Sequence, residues 1–137
     1  MGLIADTSAL VTAERAGHSV AETLEKMRDI FGETEIGLSV VTVVELTHGI
    51  QRAKIEDQRT RRQAFVEDAR AAMTVHSLTD EIAQRAGTIS GQLAEKGISV
   101  PLADLLIGST ALHLGYGVLT ENTRHFEVIP GLVVRRL

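Results

Sequence analysis

Three carboxylates sit where a globular chain does not place charge without a reason. Asp6 follows the apolar run Leu3-Ile4-Ala5, Glu45 lies within Val40-Val41-Thr42-Val43-Val44-Glu45-Leu46, and Asp104 lies within Leu102-Ala103-Asp104-Leu105-Leu106-Ile107. Each is the lone charge in apolar surroundings. An unpaired carboxylate carried into a core costs several kcal/mol. Two like charges at about 4 Å repel by a further 1 to 4 kcal/mol, depending on the effective dielectric. Three converging acids are therefore unstable or partly protonated unless they share a cation. With no Cys and no His pair at ligand spacing, oxygen ligands favour a hard ion that keeps several waters, Mg2+ or Mn2+. Such an ion binds a phosphate oxygen and lowers the pKa of a bound water, so the chemistry expected is phosphodiester hydrolysis.

Each acid also has a plainer reading. Asp6-Thr7-Ser8 can cap a helix, and Glu45 taken alone is a partly exposed helix residue. For Asp104 the nearest basic residues, Lys96 and His113, lie outside its run or well along it, so no local ion pair is evident. Gly49 follows Glu45 by four residues and Gly108 follows Asp104 by four, which puts a bare position beside each acid on its own helical face. Gly within a helix costs about 1 kcal/mol relative to Ala. Room for a ligand and close helix packing are the two explanations for keeping it.

Other chemistries find no support. Asp6-Thr7-Ser8 lacks the second Asp of a haloacid-dehalogenase-type phosphatase, and no Gly-x-x-x-x-Gly-Lys loop is present. Gly115-Tyr116-Gly117 lacks the third glycine of a dinucleotide fingerprint, and neither a Gly-x-Ser-x-Gly elbow nor a His-Glu-x-x-His pair occurs. His18, His48, His76 and His113 are scattered and read as surface or packing residues.

The elements that must position the acids alternate between short apolar runs and longer helical patterns, the signature of an α/β fold. Strands are expected at Leu3 to Ala5, Ile36 to Ser39, Thr74 to His76 and Gly117 to Thr120, with Val133 to Arg135 closing the sheet. Helices are expected at Ser8 to Ala16, Ser19 to Phe31, Val40 to Arg52, Asp57 to Ala72, Thr79 to Lys96 and Leu102 to Leu114. Val20, Leu24, Met27 and Phe31 recur at helical spacing, Ser39 is placed to cap the third helix, and Gly32, Gly97 and Gly115 are natural stops. The Leu102 to Leu114 helix is apolar nearly all round and should be buried. Strands separated by such helices form a mostly parallel sheet whose sites lie beyond the strand carboxyl ends. Asp6 and Thr120 to Asn122 fall there.

A length of 137 residues with 44% hydrophobic residues makes one domain, spanning 1–137, whose core needs neither a disulfide nor a structural metal. Zero Cys fits a reducing compartment. The start of the chain shows no basic leader, and the most apolar stretches are shorter than the roughly 18 residues of a membrane span, so a cytoplasmic protein with no membrane contact is expected. A net charge of −4 disfavours gripping nucleic acid by overall charge. The one basic stretch is central: Arg52, Lys54, Arg59, Arg61, Arg62 and Arg70 could follow a phosphate backbone or be a solvated helix face. With 3% aromatics there is no base-stacking platform to speak of.

The runs Asp6-Thr7-Ser8-Ala9-Leu10, Val44-Glu45-Leu46 with Gly49, Pro101 to Gly108, Leu119-Thr120-Glu121-Asn122 with Phe126, and Pro130-Gly131-Leu132 together resemble the PIN-domain family over nearly the whole chain, most of all the VapC-type toxins of toxin–antitoxin pairs. The resemblance implies a parallel sheet flanked by helices and a Mg2+-dependent endoribonuclease with Asp6, Glu45 and Asp104 as catalytic and metal-binding acids. It also implies an RNA substrate, a cognate antitoxin that inhibits the enzyme, operator DNA bound only through that antitoxin, and a homodimer. Thr7, Ser8 and Thr120 are accessory candidates that could hold site waters or the acids. Many members carry a fourth acid where this chain has Asn122, so Asn122 and the adjacent Glu121 leave a second metal open. Arg124 and His125, just beyond, could contact RNA. A PIN nuclease acting on DNA or in RNA processing, and a partner-binding module with structural acids, are the alternative readings.

Overall fold

Strand β1 (Gly2–Ala5) is buried along its whole length, as a run apolar on both faces must be when helices cover both sides of a sheet. The computed structural model describes all 137 residues. After β1 the chain runs through α1 (Thr7–Arg15), α2 (Val20–Phe31), β2 (Glu35–Ser39), α3 (Val40–Arg52), α4 (Glu56–Ala72), β3 (Thr74–His76), α5 (Asp80–Glu95), α6 (Leu102–Leu114), β4 (Gly117–Leu119), α7 (Thr123–Glu127) and β5 (Val134–Arg135). The expected α/β fold, strands and long helices are present, with ends shifted by a residue. Helix α7 is the element the sequence pattern did not give, because five residues are too few to display a period.

All pairings are parallel and the strand order is β3-β2-β1-β4-β5. The chain moves outward from β1 to one edge, then returns to β4 on its other side. The crossover direction therefore reverses between β1 and β4, where parallel sheets open a crevice at their carboxyl ends. Ala5 pairs with Leu119 at that edge, so the residues that follow, Asp6 and Thr120, emerge side by side.

Alternation along the strands divides the core. Ile4 and Val118 turn to one face and join Ile89, Leu105, Ile107 and Phe126 beneath α5, α6 and α7. Leu3 and Leu119 turn to the other and meet Ala9 of α1 and Met27 of α2, while Ala5 and Leu38 join Leu46, Phe65 and Val66 of α3 and α4. Ser19 forms a reciprocal capping box with Glu22, and Ser39 accepts from the Val41 amide as expected. Helix α6 is buried over most of Asp104 to Ala111 and ends at Gly115, whose left-handed φ of +70° turns the chain into β4. No helix is long and apolar enough to cross a membrane.

The two glycines expected to clear space beside acids do different things. A Cβ at Gly108 would lie 2.7 Å from Ile129 Cδ1 and 3.3 Å from Leu132 Cδ2, so Gly108 admits the C-terminal segment against α6 rather than room at the site. A Cβ at Gly49 would meet nothing within 4 Å. Gly108→Val should therefore overpack the core and lose about 1–3 kcal/mol. Gly49→Ala should gain up to about 1 kcal/mol from helix propensity, and urea titration of both variants checks the opposite signs.

Candidate active site

Asp6 is 2% exposed. It occupies the position before α1 where a capping side chain would act, yet makes no cap hydrogen bond, which removes the plain structural reading of Asp-Thr-Ser. Its Oδ2 accepts from Ser8 Oγ at 2.7 Å and from Thr120 Oγ1 at 2.9 Å. Both hydroxyls are in turn pinned by backbone. Ser8 Oγ accepts from the Glu121 amide at 3.0 Å and Thr120 Oγ1 from the Asn122 amide at 2.9 Å. Two neutral donors on one oxygen fix the carboxylate and leave its Oδ1 without a side-chain donor.

Glu45 projects from α3 and is half-buried. Thr7 Oγ1 donates to its Oε1 at 2.5 Å. Burial pushes the Glu45 carboxyl above its ordinary pKa, the Thr7 bond opposes that, and the charges of Asp6 and Asp104 push it up further. Asp104 stands in the first turn of α6, 9% exposed, where the helix dipole favours negative charge. His125 Nδ1 donates to Asp104 Oδ2 at 2.6 Å. Burial again raises the Asp104 pKa, the His125 bond opposes it, and repulsion from Asp6 adds to the rise.

The three acids thus lie within Coulombic reach of one another, each held by a partner of its own. They do not close into a ready-made cage: no group of three His, Asp or Glu side chains is gathered tightly enough to hold a metal. The donor chemistry fits a hard divalent ion, since every site donor is a carboxylate or hydroxyl oxygen and the acids' raised pKa values register charge that a cation would relieve.

The remaining candidates separate cleanly. Thr7, Ser8 and Thr120 hold the acids, one of the two roles open to them. Glu121 is turned away, its carboxylate accepting from Arg136 Nε at 2.9 Å, while only its amide reaches Ser8. Asn122 is exposed, with no capping bond from its side chain. Arg124 is exposed and unpaired. His125, a candidate for RNA contact, supplies the partner for Asp104 that neither Lys96 nor His113 provides. It lies 21 residues away in sequence, beyond any helical spacing, and comes into place only because α7 packs on α6. The central basic helix is partly structural too, for Arg59 donates to the Ala53 carbonyl and Arg62 to that of Gly49.

Beside Glu45, rather than over Asp6 and Asp104, a cleft of about 530 Å3 opens between α1, α3 and α4. Thr7 and Glu45 line it, Leu46 and Phe65 contribute apolar surface, and Arg15 and Arg52 belong to the same lining.

The PIN-domain profile matches residues 3–132. The chain belongs to the PIN-domain family. This PIN domain is 32% identical over 134 residues to ribonuclease VapC1 of Rickettsia felis, an alignment covering 98% of this chain and 95% of that protein. VapBC of Salmonella typhimurium, solved bound to DNA, superposes with a TM-score of 0.84 at 25% identity over 99% of this chain and 98% of that one. VapBC-5 of Mycobacterium tuberculosis, of a family of toxin–antitoxin systems, superposes at 0.77 with 24% identity over 99% and 98%.

Raised carboxylate pKa values mean that the folded PIN domain binds protons more tightly than the unfolded chain. That contribution to stability is present at low pH and lost as pH rises through the raised values of Glu45 and Asp104. In EDTA at neutral pH, Glu45→Gln or Asp104→Asn should therefore raise Tm by about 2–4 °C, with the gain shrinking as pH falls toward 4. Calorimetry across pH checks it, and a Tm lowered by both substitutions would contradict the origin given for the shifts.

Proposed function

We propose that this PIN domain is a divalent-metal-dependent endoribonuclease toxin that hydrolyses cellular RNA in the cytoplasm and is inhibited by a cognate antitoxin. The observation that carries the reading is the approach of Asp6, Glu45 and Asp104 at the sheet's crossover crevice, close enough that burial and the neighbouring carboxylates raise the proton affinity of Glu45 and Asp104. The similarity to a ribonuclease over nearly the full length of both chains supports the reaction class.

Asp6, Glu45 and Asp104 would together hold Mg2+ or Mn2+. When bound, that ion supplies charge stabilisation at the phosphate and a water of lowered pKa. The chain's own contribution is preorganisation. Ser8 and Thr120 fix the rotation of the Asp6 carboxylate, Thr7 fixes Glu45, and His125 fixes Asp104. Arg124, exposed beside His125 on α7, is placed to meet a backbone phosphate. Asn122 offers a neutral amide at the position where a fourth acid would add charge, which favours a single ion.

The antitoxin partner follows from the likeness to VapBC assemblies. Operator DNA would then be bound through the antitoxin, in keeping with a toxin of net charge −4. Homodimerisation is part of the same reading, and Val44 and Leu102, apolar yet 68% and 69% exposed beside two of the acids, are surface that a protein partner would cover.

Purified protein incubated with total RNA should cleave in Mg2+ and stop in EDTA, and Asp6→Asn and Asp104→Asn should each lower the rate by at least about 100-fold. Cleavage that is equal in wild type and both variants would mean a contaminant and would end the reading. His125→Ala should lower kcat about tenfold with little change in KM, whereas Arg124→Ala should act mainly on KM. Steady-state kinetics on a short oligoribonucleotide separates the two.

A further inference from the structure

The cleft beside Glu45 is left unused by the chemistry above. We propose that it is a subsite for one unpaired nucleotide of the RNA strand, next to the phosphate being cleaved. The proposal rests on the nuclease reading and adds to it a place where base identity is sensed.

Position is the first argument. Thr7 and Glu45 line this cleft, and Glu45 is also one of the three acids, so a strand whose phosphate sits at the acids can lay a neighbouring nucleotide over or into the cleft. Size is the second, since about 530 Å3 falls in the range of about 300–1,000 Å3 typical of small-ligand sites.

Chemistry is the third. The floor is apolar, with Val11, Leu46, Phe65 and Val66, while Arg15, Arg52 and Arg62 line the same cleft. The ion pairs of the structure involve Arg28, Arg59, His125 and Arg136, so Arg15, Arg52 and Arg62 have no carboxylate partner, although Glu14 lines the cleft too. In a chain with 18 Asp and Glu against 14 Lys and Arg, three unneutralised guanidinium groups around one cleft match an anion. An apolar face flanked by anionic phosphate is what an unstacked nucleotide presents, and single-stranded RNA is recognised through splayed bases. A peptide would have to bring carboxylates to these arginines, whereas the strand on which the site acts carries its own charge.

Gly49 supplies the space. It lines the cleft, and a Cβ there would touch nothing within 4 Å, while Arg62 Nη1 donates to its carbonyl at 2.7 Å and holds α4 against α3. A larger side chain at 49 would fill the cleft without disturbing that backbone bond.

The test uses the full chain and two readouts. Binding of a fluorescein-labelled, sequence-randomised single-stranded 12-mer RNA is measured by anisotropy in EDTA, and cut sites in total cellular RNA are mapped by end sequencing in Mg2+. Gly49→Leu, with a melting transition no lower than that of wild type as the folding control, should weaken 12-mer binding about tenfold and relax base preference at one position flanking the cut. Arg15→Ala and Arg52→Ala should each weaken binding and lower the slope of log affinity against log salt by about 0.7. These two exposed substitutions keep the test decisive if Gly49→Leu misfolds. Unchanged binding in Gly49→Leu, or an unchanged salt slope in both arginine variants, overturns the proposal whether or not the wild type cleaves. If binding changes as expected but the wild type cuts nothing in Mg2+, the subsite stands as an RNA site and the nuclease reading falls. If RNA binding and cut sites are unchanged while inhibition by the co-expressed antitoxin is lost, the cleft belongs to a protein and the proposal is wrong.

Discussion

Like charges held near one another in a partly dehydrated crevice are the constraint to which the rest of this structure responds. Asp6, Glu45 and Asp104 raise the energy of the folded chain, and none is neutralised by a guanidinium or ammonium group. The fold instead gives two of them neutral hydroxyls and the third an imidazole. Hydroxyl donors orient a carboxylate without cancelling its charge, which an Arg would do. The arrangement keeps its negative charge at a cost in stability, the trade-off common at functional sites.

The sheet order makes the arrangement possible. Because β1 and β4 are neighbours though more than a hundred residues apart in sequence, the two hydroxyls that hold Asp6 come from opposite ends of the chain, Ser8 from α1 and Thr120 from the end of β4. Asp104 is delivered by α6, packed beneath the same strands. Gly108 lets Ile129 and Leu132 approach that helix, and the same docking carries α7, and with it His125, to Asp104. A residue that looks like a packing detail thus governs the surroundings of an acid one turn away.

Most of this was readable from sequence, and what was not has physical reasons. The strands and long helices follow from apolar period and caps, and the buried acids are conspicuous because charge is rare inside apolar runs. Their partners were harder to see. Thr7, Ser8 and Thr120 looked equally suited to capping or strand ends, and only the register of β1 against β4 shows where their hydroxyls go. His125 could not be matched with Asp104 because the contact depends on α7, a five-residue helix with no periodic signal. Glu121 and Asn122 were ambiguous for a related reason: in an irregular turn, sequence does not say which of two adjacent side chains points inward, and Arg136 takes the first.

The hydrogen bonds from Thr120 Oγ1 to Asp6 Oδ2 and from the Glu121 amide to Ser8 Oγ span 114 and 113 positions of the chain. Thr120 and the Glu121 amide are therefore synthesised more than a hundred residues after the acid whose surroundings they fix. An emerging polypeptide can fold α1 to α4 against β1 and β2 and still lack Thr120, the Glu121 amide and the helix that brings His125. The orientation of the Asp6 carboxylate is thus a late event in the making of this domain, completed only when β4 has paired with β1.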